Sequence, residues 1–101
     1  ERAVQMLTQV PAALFGLKNR GTIEVGNVAD LVVFDPETID SEMLTLVHDL
    51  PGGCGRLHAG STGISHVFVS GEETVTDSRP TGATPGSIVR SGRDTTTVLV
   101  G

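Results

Sequence analysis

The sequence predicts a mainly β chain, a small antiparallel β-sandwich attached to the end of a helical segment. Three observations predict it. From Thr22 onward apolar residues recur at every second position rather than every third or fourth. Short apolar runs are separated by turns rich in Gly, Pro, Asn and Asp. Only the first sixteen residues carry helical spacing, and Gly16 closes them.

The helical entry, Glu1 to Gly16, reads in two pieces. Val4, Leu7 and Thr8 share one helix face, widened by Ala3 and Met6. Pro11 cannot continue a helix already running but suits the first turn of a new one, Ala12 to Phe15. Thr22 to Val25 then alternates, and Gly26-Asn27 reads as a two-residue hairpin turn. Ala29 to Phe34 is a strand with Leu31 and Val33 on one side and Val32 and Phe34 on the other. A strand apolar on both sides is expected inside a structure with two covered faces. Asp35-Pro36 ends it, since Pro cannot donate to a ladder.

Glu37 to Met43 has no clear period, and Thr45 to His48 is a brief strand. Asp49 to Gly63 reads as loop-rich, with five glycines in it. Ile64 to Val69 is a strand, Ser70-Gly71 a turn, and Glu73 to Thr76 the returning strand. Arg79 to Gly86 reads as another loop, Ser87 to Arg90 as a short element of open type, and Thr95 to Val100 as a β-prone, mobile terminus. The expected organisation is a helical segment over residues 1–17 and a small β-sandwich domain over residues 18–101, with a loop-rich stretch at 49–63.

Composition bounds the function. The chain has 101 residues, 38% of them apolar, but only three Phe and no Tyr or Trp. Its core must come from Val, Leu, Ile and Ala. The net charge is −5, and its seven Lys and Arg are scattered. A nucleic-acid or anionic-membrane surface needs clustered basic residues. No apolar stretch approaches the roughly 18 residues of a membrane span. The single Cys54 allows no internal disulfide and fits the cytoplasm. The chain opens on Glu1 rather than Met, so upstream sequence is expected.

Two stretches resemble a known family. One is Leu14-Phe15-Gly16-Leu17 with Arg20-Gly21-Thr22-Ile23, Gly26 and Ala29-Asp30-Leu31-Val32-Val33-Phe34-Asp35. The other is Gly63-Ile64, Val67, Val69 and Gly71. Together they resemble the end of the amidohydrolase superfamily. Asp49-Leu50-Pro51-Gly52-Gly53 with Arg56-Leu57, and Thr81-Gly82-Ala83 with Pro85-Gly86, Arg90 and Ser91-Gly92-Arg93-Asp94, narrow this to the D-aminoacylase or N-acyl-D-amino-acid deacylase branch. Departures are Cys54, where relatives have a small residue, and Ser70, where the turn usually has Asn.

The resemblance implies that residues 1–17 are the last helix of a TIM barrel and that the rest finishes the composite sandwich. It implies a parent enzyme that hydrolyses the N-acyl amide bond of N-acyl-D-amino acids. Zinc would polarise the carbonyl and activate a water, and an aspartate on the last barrel strand would shuttle the proton. Those ligands, opening with a His-x-His pair, are expected upstream, so this stretch by itself should be inactive. Its partners would be the barrel and N-terminal parts of the same enzyme. Alone, it would self-associate through open strand edges. The alternatives are another amidohydrolase acting on a cyclic amide, as dihydroorotases and hydantoinases do, and a free-standing β module for protein interaction.

No catalytic, cofactor-binding or metal-ligating residue is assigned here. His48, His58 and His66 do not have local metal spacing. His66 alternates with Ile64 and Phe68 and reads as a sheet histidine, while His48 and His58 read as solvent-facing. Pro51 to Arg56 lacks the Lys-Ser/Thr of a phosphate loop, and Gly60 to Gly63 lacks nucleophile-elbow spacing. Asp30 beside Leu31 reads as a structural carboxylate needing a backbone N–H or a cation. Arg56 is the one substrate candidate: if the 49–63 loop covers the barrel mouth, its guanidinium suits a substrate carboxylate.

Overall fold

The structure is a computed structural model, and it describes residues 1–99. The antiparallel, mainly β class and the helical entry are as expected. Helices α1 (Arg2–Leu7) and α2 (Gln9–Leu14) open the chain. Strand β1 (Leu31–Phe34) is followed by β2 (Asp40–Ser41), β3 (Thr45–Val47), β4 (Arg56–His58) and β5 (Ser61–Thr62). Strands β6 (Ile64–Val69), β7 (Glu72–Thr76) and β8 (Arg79–Pro80) complete the order.

The helix break falls at Thr8, earlier than the sequence suggested. Pro11 has no N–H for the Leu7 carbonyl, and its ring crowds that carbonyl, so the turn before it gives way. Thr8 takes φ −125° and ψ −78°, and its hydroxyl donates to Val4 O at 2.7 Å. Gly16 closes α2 at φ +65°.

The main sheet has the order β1-β6-β7-β8, antiparallel throughout. Ser70 (φ +51°) and Gly71 (φ +80°) join β6 to β7. Two successive positive φ values are those of a type I′ turn, whose twist matches the flanking strands. Asp77 (φ +46°) and Ser78 (φ +62°) repeat the device before β8, so the stretch read as a loop from Arg79 begins as a short strand.

One further expectation is corrected and two are refined. Thr22 to Val25 forms no strand: Asn27 N donates to Glu24 O, the Asn27 amide holds Thr22, and Ile23 and Val25 project into solvent with no ladder partner. The 49–63 stretch, read as loop-rich, also carries β4 and β5. β2 pairs β5 and β3 pairs β4, so residues 40–62 form one long ribbon folded at a 3-10 turn, Pro51–Gly53. The start of the segment from Thr95 is tied to the end of the helical entry. Thr96 N donates to Gly16 O at 2.8 Å, Lys18 N to Asp94 O at 2.9 Å, and Leu17 bridges Thr95. Val100, at the end of the expected strand, lies outside the described residues.

The packing is open. Among the described residues Ala12 is the one buried apolar side chain. β1 is an edge strand with Val32, Val33 and Phe34 all exposed, where two covered faces were expected. The solvent-accessible surface is 7940 Å² for 10.5 kDa, against about 5,400 Å² for a compact monomer of that mass. The radius of gyration is 16.5 Å, against about 13 Å for a compact domain of this length. Backbone ladders and ion pairs, not a core, hold these elements in place.

Candidate functional site

The charged side chains pair locally. Asp30, at the entry to β1, accepts from Ser70 N at 2.9 Å and from the Arg20 guanidinium. It thereby has both partner types expected for it, and ties β1 to the β6–β7 turn. This is a structural carboxylate. On β6, His66 stacks on Phe68 with ring centroids 6.1 Å apart, and its Nδ1 meets the Glu73 carboxylate across the hairpin. Hydrogen bonds from His66 and then Thr76 hold the Glu73 carboxyl below its usual range. His66 is thus a partnered sheet histidine on the face of Phe68.

Arg56 sits at the far end of the ribbon. Its Nε and Nη2 donate to Asp49 Oδ1 and Oδ2 at 2.7 and 2.6 Å, the bidentate fork that suits Arg and carboxylate. The hydrogen bond from Arg56 lowers the Asp49 pKa, and Asp49 raises that of Arg56. A substrate carboxylate at this position would have to compete with Asp49. The sequence reading missed the pairing. Its signal was opposite charges seven residues apart on either side of a Gly-rich turn.

His48 and His58 are exposed, as expected, and Cys54 is free and exposed. Among the described residues no group of three or more His, Cys, Asp or Glu side chains comes together. The donor set a zinc ion needs is not assembled from these residues. A further ion pair, Arg93 with Asp94, closes the turn that carries the chain back to Leu17; Arg93 Nη2 also donates to Ile88 O at 2.9 Å.

An apolar groove of about 440 Å³ lies between the helices and β1. Leu7, Phe15, Ile23, Leu31 and Phe34 line it. A smaller polar hollow of about 380 Å³ lies between the base of the ribbon and the β7–β8 turn, lined by Glu42, Ser61, Asp77 and Arg79. No helix among the described residues is long and apolar enough to cross a membrane.

Residues 1–75 match the model of the Amidohydrolase family. The chain is 39% identical over 90 residues to an N-acyl-D-glutamate deacylase of Alcaligenes xylosoxydans xylosoxydans, covering 89% of this chain and 16% of that protein. It is 35% identical over 89 residues to a D-aminoacylase of the same organism, covering 88% and 16%. An N-acyl-D-aspartate deacylase from the same source is 36% identical over 93 residues, covering 91% and 17%. The chain thus spans about one sixth of the length of these relatives. No solved structure matches.

Proposed function

Because the chain belongs to the amidohydrolase family, we propose that it is the C-terminal structural part of a zinc-dependent hydrolase that cleaves the N-acyl amide bond of N-acyl-D-amino acids. The observation that carries this is the agreement between coverage and packing. The chain matches one sixth of three deacylases, and its apolar faces stand open as a severed piece of a larger core would. The groove between α1, α2 and β1 is the face onto which the remaining polypeptide packs. In this reading the present residues contribute support: Asp30 and Arg20 fix β1, and Gly16 with Thr96 anchors the helical entry to the tail.

The test compares two proteins on N-acetyl-D-glutamate, N-acetyl-D-aspartate and a neutral N-acetyl-D-amino acid. The full-length enzyme should release acetate from at least one, and the 101-residue chain from none. Turnover by the short chain would overturn the structural assignment. A full-length protein that opens only cyclic amides would replace the deacylase reading with a hydantoinase-like one. Alone, the short chain should self-associate through its open edges and faces. A clean monomer by light scattering at high concentration contradicts that and favours a free-standing module.

A further inference from the structure

We draw no further inference here: the strongest candidate, the polar hollow between the base of the 40–62 ribbon and the β7–β8 turn lined by Glu42, Asp77 and Arg79, has only solvent-exposed charged side chains and, among the described residues, no buried unpartnered polar group aimed into it that would point to a ligand.

Discussion

Replacing Gly16 with Ala tests how the two ends of the chain are held together. Gly16 sits at φ +65°, and a Cβ built there would lie 2.1 Å from the carbonyl oxygen of Thr96. The left-handed conformation costs a residue with a Cβ about 1–2 kcal/mol. The clash forces the 94–96 segment away, which breaks the Thr96 N to Gly16 O and Lys18 N to Asp94 O bonds. Each such bond contributes about 0.5–1.5 kcal/mol net. Together these effects predict a loss of roughly 3 kcal/mol for closure of this junction. That corresponds to about a hundredfold faster exchange of the Thr96 and Lys18 amides in the full-length enzyme. Gly16→Asn separates the two contributions, because Asn tolerates positive φ but keeps the Cβ. It should still release Thr96. Unchanged exchange of Thr96 in Gly16→Ala would refute the reasoning, since the close approach could not then exist.

Other outcomes follow from the same contacts. Ser70→Asn relieves a left-handed serine while preserving the backbone N–H that Asp30 holds, and should stabilise the β6–β7 hairpin by about 0.5–1 kcal/mol, read from thermal melting. Asp49 has a lowered pKa in the folded ribbon, so its pairing with Arg56 supports the tip above the ordinary carboxylate value near about 4 and is lost as pH falls below it. Exchange at residues 49–56, corrected for intrinsic rates, should therefore accelerate between about pH 4 and pH 2 and stay flat from pH 5 to 7; flat protection throughout counts against the clamp. Arg56→Ala should loosen the tip yet leave KM for N-acetyl-D-glutamate unchanged, because the guanidinium is committed to Asp49; a raised KM with unchanged kcat would instead give Arg56 the substrate carboxylate.

Where the sequence was legible, local chemistry coincided with the final contacts. Ile64 to Val69 and its return strand were readable because six apolar-rich residues meet a Ser-Gly turn that only left-handed residues can make. Asp30 was readable because a carboxylate beside a buried-type strand demands a partner, and Ser70 N and Arg20 supply two. Of the ribbon, Thr45 to His48 was readable as a brief strand, found at Thr45–Val47, but the pairing was not, because the strands are two or three residues long and pair across up to 22 positions, with glycines at the tip that mimic a plain loop. Thr22 to Val25 misled for the opposite reason: it alternates well but finds no neighbouring strand, and Asn27 folds it into a turn. The tie from the tail to the helical entry was invisible because backbone-to-backbone bonds such as Thr96 to Gly16 leave no side-chain signature. Of the candidate site, the side-chain types were all visible, but the partner that occupies Arg56 depended on where the ribbon folds.

The central claim is that these residues support an active site located elsewhere in the enzyme. Its most direct measurement is the zinc content and kcat of the full-length enzyme in which His48, His58 and Cys54 become Ala and His66 becomes Gln. The account predicts that both stay at the parent values. Loss of one zinc per chain, with turnover lost in parallel, would contradict it by placing a metal site within this stretch.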